Sequence, residues 1–320
     1  MGPFTAWVSQ AGVRPVVRTD GGPWQRVGAC RVAGRALDGR VLTFDTGAGC
    51  NEAETAFCYP YGPEDLEGTL AACGEVWNGH DLGLTGAGRP LPRLRSRTPG
   101  RGRPAAVAYV TARQHAGETP GSWVLDGLLR AVAEADATGP LRQVEWWAAP
   151  FVDLDGAIEG NYGKDALPWD FNRAWAQMPM RPEVLTIQRD MRRFARRALR
   201  RIVVDLHGPA AAEHGLYQFV CRDEGPPEQR EAQLSFSPYL VAEFPDVDAE
   251  QLVRVPRYPS RWNALETITS WVWHGLDNTV GVSIETAYQS LDGRNWLNPE
   301  GYRGVGRRIA RAVAGWLLEA

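Results

Sequence analysis

Two histidines and two glutamates are the residues of this chain best suited to chemistry. His115 and Glu118 lie in Arg113-Gln-His-Ala-Gly-Glu118-Thr, a spacing that lets one tight loop offer an imidazole and a carboxylate to the same ion. Far downstream follow Asp205-Leu-His207-Gly208 and Ser283-Ile-Glu285-Thr. Two imidazoles and a carboxylate form a catalytic zinc set, because three protein ligands leave a fourth position for water. A further carboxylate, Glu285, is suited to take the proton from that water as it attacks a carbonyl. The residues therefore predict a zinc hydrolase, with His115, Glu118 and His207 as ligands and Glu285 as base.

A fourth segment adds substrate chemistry. Asp170-Phe-Asn172-Arg173 follows Pro150-Phe-Val-Asp-Leu-Asp155-Gly156. The planar guanidinium of Arg173 matches a carboxylate, and Asn172 adds a donor. A zinc site beside a carboxylate clamp is what an exopeptidase cleaving C-terminal residues requires. Asp205, two residues before His207, is placed either to be buried or to orient that ligand through its other ring nitrogen. Of the 35 basic residues only Lys164 is a lysine, and it falls between two of the candidate segments.

These residues need elements to position them. Ala106-Val-Ala-Tyr-Val-Thr111 reads as a buried strand ending at the His115 segment. Ile202-Val-Val-Asp-Leu206 delivers His207, and Thr279-Val-Gly-Val-Ser-Ile284 delivers Glu285. Gln143–Ala148 is a further strand. Trp123, Val124, Leu128 and Val132 recur at helical spacing after Pro120, and a last helix covers about 303–318. Strand ends presenting polar groups are expected where an open α/β sheet forms its crevice. The fold class is thus α/β, a mixed sheet flanked by helices.

Residues 1–87 read as a small β-rich, sandwich-like domain, with strands at Val27–Val32, Arg40–Phe44 and Glu54–Tyr59 and a helix at Asp65–Cys73. Residues 88–104, with four prolines, six arginines and no acid, read as a linker. The catalytic domain is then 105–320. Within it, residues 183–201 suggest a basic helix whose seven arginines form a solvated face over Leu185, Met191, Phe194 and Ala198.

The formal net charge of -3 gives no overall case for nucleic-acid binding. Five cysteines without a C-x-x-C pair argue against a disulfide framework. No apolar leader and no 18-residue charge-free apolar run is evident, so a cytoplasmic setting without membrane contact is the expectation.

Taken in order, the four motifs resemble the zinc carboxypeptidases of the M14 family, most closely the cytosolic carboxypeptidase branch, which trims glutamate from protein side chains and tails. Phe57-Cys-Tyr-Pro-Tyr-Gly-Pro-Glu-Asp-Leu66 and Gly22-Pro-Trp-Gln-Arg-Val27 are similar to the amino-terminal β domain of that branch. The resemblance implies zinc on His115, Glu118 and His207. It makes Glu285 the general base and then proton shuttle, and gives the substrate carboxylate to Asn172 and Arg173. The family places a carbonyl-polarising arginine after the Asn-Tyr pair; here Gly163 stands there and Lys164 follows, so Lys164, or Arg113, is expected to take the task. The family's catalytic tyrosine and the branch's glutamate-selecting arginine lack clear counterparts, with Tyr258 and Arg261 the nearest candidates. Asp205-Leu-His207 also occurs in related acylamino-acid deacylases. The expected substrate is therefore a peptide, a protein tail or a small amino-acid conjugate with a free carboxylate. A carboxypeptidase-like binding protein without turnover is the alternative.

Overall fold

A computed structural model of the chain describes residues 14–28, 30–33, 41–46, 49–97, 104–165, 169–176, 180–198, 200–210, 213–222, 225–255 and 266–319. Tyr258 and Arg261 lie outside them. The amino-terminal part holds two small antiparallel sheets. One is ordered β2-β1-β5, from β1 (Val16–Thr19), β2 (Gln25–Arg26) and β5 (Ala53–Ala56); the other pairs β3 (Cys30–Ala33) with β4 (Val41–Phe44). Helix α1 (Pro63–Ala72) follows, opened by Pro63 and by Asp65, which accepts from the Gly62 amide at 2.8 Å.

The rest is built on an eight-stranded sheet. Its strands are β6 (Trp77–Leu84), β7 (Pro90–Ser96), β8 (Ala106–Ala112), β9 (Val144–Ala149), β10 (Arg200–His207), β11 (Leu216–Phe219), β12 (Val253–Arg254) and β13 (Val280–Thr286), in the order β12-β11-β13-β10-β8-β9-β7-β6. The central run β9-β8-β10-β13 is parallel, while β7 and β11 join its two sides antiparallel. Every residue of β8 and β9 is buried. Such strands carry continuous apolar runs because both faces of a parallel sheet are covered. Helices α2 (Thr119–Glu134), α3 (Leu154–Glu159), α4 (Pro182–Phe194), α5 (Pro227–Glu243), α6 (Ile268–Gly275) and α7 (Pro299–Glu319) flank it.

The linker expected at 88–104 is not what its described part forms. Residues 90–96 are β7, and residues 77–84, placed in the amino-terminal domain, are β6 of the main sheet. Prolines 90 and 92 fall in the half of β7 that pairs with β6 alone; pairing with β9 begins at Leu94. A residue without an N–H is tolerated there. The arginines misled because their partners are distant in sequence. Arg95 donates to Glu145 at 2.7 Å and Arg93 lies 4.4 Å over the Trp147 ring. The basic helix expected over 183–201 likewise ends at Phe194, and Arg200 already belongs to β10.

Among the described helices, α2 and α7 make the most extensive contact. A Cβ on Gly127 would collide with the Arg303 carbonyl, and one on Gly306 with the Val124 carbonyl, so the two backbones touch where side chains would hold them apart. This clamps α2, and with it the loop that precedes it, onto the sheet.

Candidate metal centre and active site

Strands β8, β10 and β13 end side by side. In register, Thr111 lies beside Asp205, and His207 beside Glu285, so a single sheet face gathers groups from three distant parts of the chain. After Ala112 the backbone turns sharply: Arg113 has φ 60°, and Glu118 N donates to His115 O at 3.0 Å before α2 begins. That turn brings His115 and Glu118 together. Gly117 N donates to Tyr162 O at 2.9 Å, packing the turn against residues 162–163.

The three expected ligands converge. One donor atom each from His115, Glu118 and His207 lies within 4.8 Å of the others, and all three side chains are buried. Both imidazoles turn Nδ1 inward, each 2.8 Å from a different oxygen of Glu118. Their outer Nε2 atoms meet carboxylates, Asp205 at 2.6 Å from His207 and Asp170 at 3.4 Å from His115. A carboxylate on Nε2 holds the proton there and leaves the Nδ1 lone pair for a cation. One oxygen of the buried Glu285 carboxylate has no hydrogen-bond partner among the described residues. Two imidazole nitrogens, a carboxylate and an unpartnered carboxylate oxygen fit a catalytic zinc ion.

Asp205 is itself held rigidly. Thr111 Oγ1 donates to one of its oxygens at 2.7 Å and Gln114 Nε2 to the other at 2.5 Å, while Trp175 Nε1 donates to Gln114 Oε1 at 2.6 Å. The contribution of Gln114 was not foreseen; its only signal in the sequence is its place beside His115.

Electrostatics separate the two glutamates. Burial opposes the charge on Glu118, but His115, Lys164 and His207 hold its carboxyl well below the usual range. Burial pushes Glu285 up to about 7, with His207, Lys164 and His115 pulling it back and Glu118 adding to the rise. His207 lies well above an ordinary imidazole: burial works against its charge, but Asp205 and Glu118 outweigh it. On its other side Glu285 pairs in register with Tyr217 of β11. The Tyr217 hydroxyl donates to Glu213 at 2.9 Å, under the Arg254 guanidinium 3.8 Å away.

The remaining expected residues divide. Lys164 reaches the site, with Nζ 2.8 Å from Glu118 Oε1. Asn172 Nδ2 lies 3.2 Å from His207 Nε2, and Arg173 follows in the same single turn, Phe171–Arg173, donating to Asn172 O at 2.9 Å. Arg113 has a different task. Its guanidinium is buried, with Nε donating to Ala116 O at 2.6 Å and Nη1 to Tyr61 O at 2.7 Å and Ser122 Oγ at 3.2 Å. Burial draws its pKa down to about 10. The left-handed backbone aims this side chain into the junction with the amino-terminal part, so Arg113 braces the ligand loop rather than facing a substrate.

Solved structures share this fold. A metallo-carboxypeptidase from Burkholderia cenocepacia superposes with a TM-score of 0.76 at 21% identity, over 97% of this chain and 80% of the other. The fold is that of a metallo-carboxypeptidase. A metallo-carboxypeptidase from Pseudomonas aeruginosa, in complex with (2-guanidinoethylmercapto)succinic acid, gives 0.74 at 21% identity over 97% of this chain and 80% of that one. Among sequences, cytosolic carboxypeptidase 2 of Xenopus tropicalis is 27% identical over 232 residues, which is 66% of this chain and 24% of the relative. Human cytosolic carboxypeptidase 6 is 29% identical over 180 residues, 51% of this chain and 36% of the relative. The chain thus spans well under half of either relative. No protein-family model matches it. No helix among the described residues is long and apolar enough to cross a membrane, and no disulfide links Cys30, Cys50, Cys58, Cys73 or Cys221 among the described residues.

Proposed function

We propose that this chain is a zinc-dependent carboxypeptidase that hydrolyses an amide bond beside a free carboxylate. The observation that carries the reading is the juxtaposition of a two-imidazole, one-carboxylate ligand set with a buried glutamate one strand away, His207 beside Glu285 in register. Zinc held by His115, Glu118 and His207 would supply Lewis acidity and acidify a water molecule. Glu285, with its pKa near 7, is matched to accept a proton from the attacking water at neutral pH and to pass it to the leaving amine. Asn172 and Arg173 hold the substrate carboxylate, the guanidinium by its paired donors.

Lys164 polarises the scissile carbonyl in this reading. Gly163 has φ +98°, and a Cβ there would sit 2.5 Å from Ala116 N and 2.9 Å from His115 Cα. No side chain fits at 163 without displacing the ligand loop, so the cation comes from the next residue. Its ammonium rests on Glu118 and feels the Glu285 charge as well. A flexible stem lets such a point charge follow a developing oxyanion.

A peptide or protein tail is the substrate that this arrangement favours, and trimming of glutamate is the finer form suggested by the cytosolic carboxypeptidases among its relatives. Their name also motivates a cytoplasmic setting. The test is a panel of zinc-loaded assays on peptides with free and amidated C-termini, glutamate-ended and otherwise, alongside N-acyl amino acids. Cleavage only next to a free carboxylate is expected. Equal turnover of the amidated peptides would overturn the exopeptidase reading, and preference for N-acyl amino acids would make the enzyme a deacylase.

A further inference from the structure

The loop after Glu285 carries a side chain that the mechanism above leaves unused. Tyr288 is 1% exposed, and its hydroxyl has no hydrogen-bond partner among the described residues. The ring presses on the turn after His207. A Cβ on Gly208 would lie 3.0 Å from Tyr288 Cζ and 3.2 Å from its hydroxyl oxygen, so only glycine lets the phenol approach. Gly208 N in turn donates to Glu118 Oε2 at 3.0 Å. Among charged groups, Glu118 is the one whose charge the phenol feels most. An unpartnered buried hydroxyl is costly, and proteins rarely keep one without a use.

The rest of the molecule is arranged to hold this ring. Tyr288 O accepts from Tyr302 Oη of α7 at 2.5 Å, from Arg26 Nη2 at 3.2 Å and from Cys58 Sγ at 3.5 Å. Phe57 meets the Tyr288 ring edge-on, with centroids 5.1 Å apart. Arg14 N donates to Gln289 Oε1 at 2.9 Å. Four residues of the amino-terminal part thus fasten one short loop three residues beyond Glu285.

Glu118 explains why a donor would be kept in reserve. Its oxygens lie 2.8 Å from Nδ1 of each imidazole and 2.8 Å from Lys164 Nζ, and one accepts from Gly208 N at 3.0 Å. A cation held by both Nδ1 atoms leaves the carboxylate with Lys164 and Gly208 N as its donors. We propose that Tyr288 is a positioning residue of the metal centre, its hydroxyl donating to Glu118 once the imidazoles have turned to the ion, with Arg14, Arg26, Phe57 and Cys58 of the amino-terminal part serving as the strut that holds it in place. The inference rests on the zinc reading above.

The test is Tyr288→Phe, which removes the hydroxyl and keeps the ring. Zinc affinity is measured by competition with a chromogenic chelator, and melting temperature is measured on the metal-free protein. Because the hydroxyl is unsatisfied without metal, the metal-free variant is expected to melt at the same temperature as wild type or higher. Its zinc affinity is expected to fall about 10-fold, the lower end of the effect of removing a partner of a ligand. Arg26→Gln, which removes the donors to the Arg14, Tyr288 and Leu297 carbonyls, is expected to weaken zinc in the same direction. Equal zinc affinity in wild type and Tyr288→Phe would overturn the inference alone. Parallel losses of affinity and metal-free stability in Tyr288→Phe would also overturn it, because they describe a packing residue. A wild-type protein that takes up no zinc would overturn both this inference and the zinc reading.

Discussion

Glu285 is ionised only against resistance, since burial raises its carboxyl to about 7. A base is inactive while protonated, so kcat/KM of the zinc-loaded protein should rise with pH along an acid limb. A cation beside the carboxylate favours its charged form, which puts the limb at or below pH 7. Glu285→Gln should abolish the limb and lower kcat by about 10²–10⁴-fold while zinc content stays at wild-type level. A folded, zinc-replete variant with near-normal turnover would remove Glu285 from the reaction. Lys164 is the other residue whose task is set by its neighbours, because Gly163 leaves no room for a cation one position earlier. Lys164→Ala should reduce kcat by about 10²–10³-fold with little change in KM, as for loss of an oxyanion donor. Unchanged steady-state kinetics would end that assignment.

Among the elements, the contact between α2 and α7 is the one a single atom disturbs most. Gly306→Ala puts a methyl against the backbone of Val124 and Leu128, neither of which can rotate away. The helices must separate, at an expected cost of about 1–3 kcal/mol, read as a melting temperature lower by several degrees. Unaltered melting would show that the helices part without penalty. This contact also marks the limit of what the sequence discloses. Strands β8, β10 and β13 are legible as apolar runs, with the metal ligands at the ends of β8 and β10 and Glu285 at the end of β13. Strand β7 is not, because its prolines occupy a singly paired half and its arginines find acids about 50 and 97 residues away. The helix expected over 183–201 ends at Phe194, since an arginine run fits a wet helix face and the entry to a strand equally well. In the site, the metal ligands follow from residue type and spacing. Tyr288 follows from neither; only the approach of its ring to Gly208 reveals it. For Arg113, one left-handed φ, which no sequence pattern discloses, aims the side chain at Ala116, Tyr61 and Ser122.

Across the whole molecule, an ion at His115, Glu118 and His207 would bridge the loop after β8 and the end of β10. One zinc per chain is expected by elemental analysis, with His207→Ala retaining little; equal retention would refute the ligand set. Stripping the ion should lower the melting temperature, since a ligand present at about 100 times its Kd adds about 2.7 kcal/mol to the folded state. The strand order carries a consequence for the way the protein is made. Strand β13 follows the other strands in sequence yet sits between β10 and β11. A growing chain on the ribosome exposes all three ligands by residue 207, about 80 residues before Glu285 emerges. Glu285, the proposed proton acceptor, is the last of these groups to be synthesised, and it comes to lie beside His207 only when β13 takes its place between β10 and β11.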